Sequence, residues 1–151
     1  MRRTYIALIA LAVVLFLAVS ALLARVWSAD GAETAAVTSL IQAEARGDPS
    51  AMVGKLTGCR VQPSCRARVV AAAATLRRSG AIVILQNQPS TGFTLTGTLG
   101  NARVAWRTGS GLPVVQCVKV RRAGNAISGL RVELLAITPR IKSDADCPAH
   151  F

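Results

Sequence analysis

The sequence predicts an α+β protein with one N-terminal transmembrane helix, followed by two or three helices packed on an antiparallel sheet of four or five strands. Three observations lead to this prediction. An uncharged, apolar run of 21 residues lies between Arg3 and Arg25. Helical signals follow it as far as Gly80, and from Ala81 onward the apolar residues alternate with a period of two. Helices followed by a series of strands are typical of α+β domains, in which the helices cover one face of the sheet.

The first 27 residues are interpreted as a cytoplasmic stub and a transmembrane anchor (residues 1–27), with residues 4–24 in the bilayer. About 20 apolar residues span a hydrocarbon core of about 30 Å, and the basic pair Arg2-Arg3 favours a cytoplasmic N-terminus. A cleaved signal peptide is the alternative, but its apolar region is usually about 7–15 residues long and ends at a small-x-small cleavage site. The length of the run therefore favours an uncleaved anchor. Under either interpretation the chain after Trp27 is exported.

The exported part is divided into three segments. Residues 28–31 are predicted to be a short linker, residues 32–138 an α+β extracytoplasmic domain, and residues 139–151 a C-terminal tail tethered by a disulfide.

Specific residue types mark the limits of the first two helices of this domain. A helix over residues 32–46 carries a short apolar stripe and is followed by Gly47, which suits a helix C-cap. Asp48 and Pro49 have the residue types of an N-cap and a first helical position. A second, short helix is therefore expected from Pro49 to about Leu56.

A third helix and several strands follow. Residues 66–80 are rich in alanine, the best helix former, and Gly80 is expected to close this helix. Five runs have the residue types or the alternation of strands: residues 81–87, 92–99, 102–108, 114–122 and 127–137. The pairs Gly100-Asn101 and Gly124-Asn125 lie between runs and predict tight turns.

The order of these elements and three sequence stretches point to a known superfamily. GDPSAM follows the first domain helix, an Ala-rich helix comes second, and a meander ends in VVQCVKVRRAGNAISGLRVELLAI. These features resemble the nuclear transport factor two-like, or cystatin-like, superfamily over most of residues 32–138. In that superfamily a strongly curved sheet wraps around a long helix to form a cone. The resemblance implies a curved sheet here, and it offers a pocket for a small apolar or anionic ligand as one functional alternative.

The sequence supplies few groups for catalysis. Enzymatic members of that superfamily place an acidic residue, a His or a Tyr inside the cone as general acid or base. The only Tyr, Tyr5, lies in the anchor, and the only His, His150, is the penultimate residue. Glu133 is the one carboxylate in the predicted strands, where a surface ion pair explains it more simply than catalysis. We therefore expect no catalytic residue, and an enzyme that uses Glu133 remains an alternative.

Four cysteines, all of them after the anchor, predict two disulfides. Exported chains meet oxidising conditions in which disulfides persist. Four cysteines allow three pairings. The short loop between them favours Cys59–Cys65, and Cys117–Cys147 then ties the tail to the sheet. Their spacing does not match the ligand pairs of a structural zinc site, so no metal ion and no cofactor is expected.

The exported residues are strongly basic. They contain 15 Lys and Arg against 7 Asp and Glu, and no acidic residue lies between Asp48 and Glu133. A positive field attracts polyanions and anionic membrane surfaces, although such residues are also ordinary solvated surface. The candidate residues for binding phosphate, carboxylate or anionic glycan groups are Arg103, Arg107, Lys119, Arg121 and Arg131. Trp106 is the only aromatic residue nearby and lies on the opposite strand face from the first two, which argues against dedicated nucleic-acid binding.

The hypothesis from the sequence is a non-enzymatic, single-pass membrane protein with a cytoplasmic N-terminus and an extracytoplasmic domain. That domain is expected to have a binding or assembly role in the cell envelope. Its partners would be the bilayer, through residues 4–24, and another envelope protein or an anionic envelope polymer. The small-ligand pocket and the Glu133 enzyme are the two alternatives.

Overall fold

The computed structural model describes residues 2–91, 95–125, 127–142 and 147. Within these residues, three helices precede four strands. The helices are α1 (Arg2–Arg46), α2 (Pro49–Lys55) and α3 (Pro63–Thr75). The strands are β1 (Ile82–Gln88), β2 (Thr96–Thr108), β3 (Val114–Asn125) and β4 (Gly129–Ile137). They form one antiparallel sheet in the order β1-β2-β3-β4, so the predicted α+β class is confirmed.

Helix α1 runs without a break from the apolar run into the folded domain. Residues 28–31, predicted to be a short linker, are helical and belong to α1. Gly31 is exposed and has open space around it, and a single glycine costs a helix only about 1 kcal/mol. Ala29 and Glu33 on either side of it are buried, and this burial outweighs the weak helix propensity of the glycine.

The first half of α1 has the properties of a membrane anchor. Within the described residues, it belongs to the one helix that is long and apolar enough to cross a membrane. The large apolar side chains from Tyr5 to Val19 are each at least 51% exposed, whereas Val26 is only 1% exposed. The apolar helix therefore fits a single-pass anchor, and burial by the domain begins directly after Arg25.

The junction between α1 and α2 follows the predicted capping pattern. Gly47 adopts a positive φ of 69°, and the N–H of Asp48 donates to the carbonyl of Ala43 at 3.0 Å. The Asp48 carboxylate in turn accepts from the N–H of Ala51 at 2.9 Å, and Pro49 is the first residue of α2. The predicted C-cap and N-cap are both confirmed.

Helix α3 differs from its predicted bounds. It begins at Pro63 and ends at Thr75, so Gly80 does not close it. Three residues after the end of the helix, the N–H of Arg78 donates to the carbonyl of Ala45 at 2.9 Å. That bond satisfies one of the carbonyls at the C-terminus of α1, which have no partner within their own helix.

Strand β2 passes straight through Gly100, so the turn predicted at Gly100-Asn101 was wrong. A Cβ atom on Gly100 would overlap the carbonyl of Ser90. The glycine therefore permits a close approach of the β1–β2 connection, which a side chain would prevent. The first residues of the predicted strand over residues 92–99 lie outside the described residues. Gly124 and Asn125 end β3 directly before the β3–β4 turn.

One hydrophobic core joins the helices to one face of the sheet. The buried core residues of α1 include Val37, Leu40 and Ile41, and those of β2 include Val104 and Trp106. The sheet has two ends, which we name by their distance from the apolar run. The anchor end carries the β3–β4 turn, and the far end carries the β2–β3 turn.

Both predicted disulfides are present. Cys59 and Cys65 form the α2–α3 disulfide, with Cα atoms 5.3 Å apart. Cys117 and Cys147 form the tail disulfide, with Cα atoms 5.7 Å apart. Disulfides persist in oxidising compartments, so these two bonds suggest an oxidising, extracytoplasmic location for the domain.

Candidate functional site

The five predicted binding residues lie on one face of the sheet, opposite the helices. In β2, Arg103 and Arg107 alternate with buried core residues, and in β3 Lys119 and Arg121 do the same. Arg103 lies directly opposite Cys117 in the register, and Cys117 is two residues before Lys119 in β3. Because directly opposed residues share a face and residues two apart do too, these four side chains project from the same face.

Arg131 joins this group through the neighbouring strand. Arg131 lies opposite Ala123, which is two residues after Arg121 in β3. We name these five residues the outer basic band: Arg103, Arg107, Lys119, Arg121 and Arg131. The sequence predicted two separate strand faces, and the register of β2, β3 and β4 places them on one.

The band is elongated. Arg107 lies beside the far end, because its neighbour Trp106 pairs with Val114 at the start of β3. Arg131 lies beside the anchor end, opposite Ala123 near the end of β3. These two limits are about ten residues apart along β3, or about 30 Å at the rise of an antiparallel strand.

The carboxylate of Glu133 lies within this band. Its Oε2 atom accepts from Nε of Arg121 at 2.7 Å, and the two residues are directly opposed in the register. Their side chains are 26% and 50% exposed, so the pair contributes at most about 1 kcal/mol to stability. Glu133 thus forms a surface ion pair.

A buried charged cluster, the anchor-end cluster, holds the sheet against α1. The fully buried guanidinium of Arg122 donates from Nε to Oε2 of Glu33 at 2.9 Å and from Nη2 to Oδ1 of Asp30 at 2.5 Å. Glu33 also accepts from the N–H and the hydroxyl of Ser90, at 2.6 and 3.0 Å. Burial alone would lower the pKa of Arg122, but the hydrogen bonds to the two carboxylates outweigh it and raise the pKa above its ordinary value.

The sequence contained a signal for this cluster that the prediction did not use. Arg122 follows Val118 and Val120 at the spacing of the core-facing residues of β3. Glu33 precedes Val37 by four residues, on the core-facing side of α1. Charged residues at apolar positions of both a strand and a helix indicate a buried ion pair, since a buried charge needs a partner.

A second buried group, the far-end cluster, fills the space between α1 and the far end of the sheet. The indole N–H of Trp106 donates to Oε1 of Gln116 at 2.8 Å. The amide nitrogen of Gln116 donates to Oε1 of Glu44 and to the carbonyl of Thr138, both at 3.0 Å. Burial raises the pKa of Glu44 to about 7, and the hydrogen bond from Gln116 opposes this only in part.

The far-end cluster is sealed from solvent. Glu44, Gln116 and Trp106 each have no exposed surface. The second carboxylate oxygen of Glu44 is buried without a hydrogen-bond partner. A carboxyl with a pKa near neutrality suits proton transfer, but a reacting group must come within hydrogen-bond distance of it, and these side chains fill the approach.

A surface groove of about 330 Å³ lies between α3 and the end of β4. Its lining is mainly apolar and includes Ala71, Leu76 and Ile137, together with Arg68 and Arg140. The groove therefore combines an apolar wall with two positive charges.

The described part of the chain contains no group of three or more His, Cys, Asp or Glu residues that could hold a metal ion. Comparisons with protein families, with curated proteins and with solved structures find no match to this chain.

Proposed function

We propose that this chain is a single-pass membrane protein whose extracytoplasmic domain binds a linear anionic partner along the outer basic band. The domain has no enzymatic role and acts in binding or assembly in the cell envelope. The favoured partner is an anionic envelope polymer, and the acidic surface of another envelope protein is the competing one.

The single observation that carries this proposal is the shape of the band. Its five basic side chains share one sheet face over about 30 Å. A single phosphate or carboxylate contacts side chains only within a few ångströms, so it would engage a small part of the band. A linear polyanion contacts several of these residues at once, and the contacts add because they belong to one molecule.

Two features support the proposed orientation. Arg2 and Arg3 precede the apolar run, and basic residues are enriched on the cytoplasmic side of membrane spans. The α2–α3 and tail disulfides both lie after the run. They are favoured by the oxidising side of the membrane.

Two features support a non-enzymatic role. Glu133 is engaged by Arg121 on the outer face of the sheet. Glu44 is enclosed by Gln116 and Trp106. The same filling of the core argues against a ligand cavity between α1 and the sheet, which the resemblance to the nuclear transport factor two-like superfamily would imply.

The binding proposal is tested with the full chain in detergent micelles and a fluorescent linear polyanion, polyglutamate, as the probe. The outer-band variant Arg107→Ala/Arg131→Ala removes two exposed charges at the two ends of the band. The matched control Arg60→Ala/Arg66→Ala removes two exposed charges near the α2–α3 disulfide. Fluorescence anisotropy gives the Kd of each.

We expect the outer-band variant to bind about tenfold more weakly than the unmodified chain, because two exposed ion pairs of about 0.7 kcal/mol each amount to a factor of ten. The control should change far less, and added salt should weaken all binding. Equal losses in both variants would show that net charge alone attracts the probe and would contradict a site on the sheet.

The groove beside α3 supports a second candidate, a site for a small amphipathic anion. Its apolar wall and the guanidinium groups of Arg68 and Arg140 match an acyl chain with a carboxylate. Laurate is a suitable probe. Ala71→Trp should fill the groove and abolish saturable binding, whereas Ala74→Trp, also exposed on α3 but outside the groove lining, should not. Equal binding by both variants would remove this candidate.

A further inference from the structure

The β3–β4 turn lies beside the end of the apolar run. The guanidinium of Arg25 donates to the carbonyl of Ile127, although the two residues are 102 positions apart in the chain. Arg25 is the first charged residue after the run. A residue hydrogen-bonded to it lies within a few ångströms of the level at which the anchor leaves the hydrocarbon core.

The turn is held in this position by the core of the domain. Arg122, three residues before the end of β3, is bound to Asp30 and Glu33 of α1. Val26 and Ala29 of the same helix are buried. Because α1 is one continuous helix, these contacts fix the anchor end of the sheet relative to the anchor itself, with no linker between them.

Exposed apolar side chains cluster at this level. Ile127 at the tip of the turn is 81% exposed, and Trp27 on α1 is 71% exposed. Leu95, also exposed, directly precedes Thr96, which pairs with Asn125 at the end of β3. We name Trp27, Leu95 and Ile127 the apolar rim.

Two backbone N–H groups of the β3–β4 turn have hydrogen-bond partners within the turn itself and do not depend on water. The side-chain oxygen of Asn125 accepts from the N–H of Ile127 at 2.9 Å and from the N–H of Ser128 at 2.7 Å. An N–H without a partner is costly in an apolar environment. These two bonds remove that cost and leave the Ile127 side chain to point outward.

We propose that the apolar rim is a membrane-contacting surface, which places Ile127 and Trp27 among the headgroups of the outer leaflet. This inference rests on the anchor and the orientation of the proposed function. The occupant is the bilayer itself, because the rim is continuous with the segment that spans it. Trp is favoured at membrane interfaces, where its ring is apolar and its N–H is hydrated, and Arg25 suits the level of the lipid phosphates.

The contact also orients the outer basic band. Arg131 lies near the rim and Arg107 about 30 Å further along the sheet. The band therefore extends from the membrane surface outward, and an anionic polymer bound along it is guided away from the lipid.

The experiment uses the full chain in native membranes, with the photoreactive residue p-benzoylphenylalanine placed at single positions. The test position replaces Ile127. The matched control replaces Leu112, which is 79% exposed in the turn at the far end. A second control replaces Leu15, in the middle of the apolar run. Mass spectrometry then measures the fraction of each chain that carries a lipid adduct after illumination.

We expect lipid adducts at Leu15 and at Ile127, and several-fold fewer at Leu112. Adducts at Leu15 without adducts at Ile127 would overturn the apolar rim and leave the anchor intact. No adducts at Leu15 would overturn the anchor, and the rim with it. Equal adducts at Ile127 and Leu112, or a protein adduct at Ile127 in place of lipid, would also overturn the rim.

A measurement on the unsubstituted chain complements this. Trp27 and Trp106 are the only two tryptophans, and Trp106 is fully buried in the domain. Bromine quenches tryptophan fluorescence at short range. In vesicles whose lipids carry bromine near the headgroup, the fluorescence of Trp27 should therefore be quenched, whereas that of Trp106 should be retained. Unquenched emission would overturn the placement of Trp27 at the interface.

Discussion

Glu44→Gln replaces a buried carboxyl with an amide of nearly the same shape. The oxygen of the new amide can still accept the hydrogen bond that Gln116 now donates to Glu44 at 3.0 Å. What the substitution removes is the ability of the position to become negatively charged. Its effect on stability should therefore depend on pH in a way that follows from burial alone.

The magnitude follows from the two pKa values. Burial raises the pKa of Glu44 from 4.5 to about 7. Each pH unit between them is worth about 1.4 kcal/mol, so the difference amounts to about 3 kcal/mol. The side chain has no exposed surface, so solvent screening does not reduce this value substantially.

The direction follows from proton binding. Between pH 4.5 and about pH 7 the folded chain retains the proton on Glu44, whereas the unfolded chain has released it. The folded state therefore binds more protons, and its stability falls as the pH rises through this interval. Above the interval the carboxylate is charged in both states and the loss is complete. Glu44→Gln should match the unmodified chain near pH 4 and exceed its stability by about 3 kcal/mol near pH 8.

The assay is denaturant unfolding of the full chain in a non-ionic detergent, followed by tryptophan fluorescence, in which the change comes mainly from the buried Trp106 and the exposed Trp27 gives a background. The free energy of unfolding is compared between the two chains near pH 4 and near pH 8. The matched control is Glu133→Gln, which removes an exposed carboxylate and should cost less than about 1 kcal/mol at either pH. A difference between Glu44→Gln and the unmodified chain that stays constant with pH would refute the burial of a neutral carboxyl at this position.

Three further predictions concern the rest of the framework. Arg122→Met leaves a buried carboxylate without its partner and should lower the free energy of unfolding by about 3–5 kcal/mol, while Arg121→Met, on the exposed ion pair, should cost at most about 1 kcal/mol in the same assay. Paired Cys→Ser variants should cost about 4 kcal/mol for the tail disulfide and about 2 kcal/mol for the α2–α3 disulfide. The costs differ because the tail disulfide closes a loop of 30 residues and the α2–α3 disulfide a loop of 6. Equal losses in the two variants would contradict this order. Gly31→Ala should raise the melting temperature, because the position is helical and has open space around it. Gly100→Ala should lower the melting temperature, because its methyl group would overlap the carbonyl of Ser90. An unchanged melting temperature in Gly31→Ala would argue for a flexible linker at residues 28–31.

Local residue types predicted the elements whose limits depend on neighbouring residues. Gly47, Asp48 and Pro49 identified the junction between α1 and α2 because caps are formed within a few residues. The two disulfides were predicted from the expected export of the chain and from the short loop between Cys59 and Cys65.

Features that depend on distant contacts were not predictable in the same way. Gly100 has the residue type of a turn, but it pairs with Val120 inside the continuous strand β2, and the close approach of Ser90 leaves no room for a side chain there. Just beyond the end of α3, the N–H of Arg78 donates to the carbonyl of Ala45, a contact between distant residues that no local pattern encodes. The continuity of α1 through Gly31 likewise depends on tertiary burial.

In the candidate site, too, local features were predictable from the sequence and features that depend on distant contacts were not. The five residues of the outer basic band were chosen as candidates from charge and alternation, which are local properties of the sequence. Their placement on one face required the register between β2, β3 and β4. Charged residues at apolar positions of β3 and α1 indicated that Arg122 and Glu33 are buried, but the two residues are 89 positions apart, and the bond between them follows only from the packing of the sheet on α1.

The location of the domain is the premise of the binding proposal and of the apolar rim. A recognition sequence for a site-specific protease can be inserted between Ser110 and Gly111, in the exposed β2–β3 turn at the far end of the sheet. With an N-terminal epitope tag on the same chain, protease is added to intact spheroplasts. We expect complete cleavage from outside, with the tagged fragment still in the membrane because α1 holds it there. Cleavage only after the membrane is permeabilised, or a tagged fragment that is absent from the membrane, would contradict an anchored, extracytoplasmic domain.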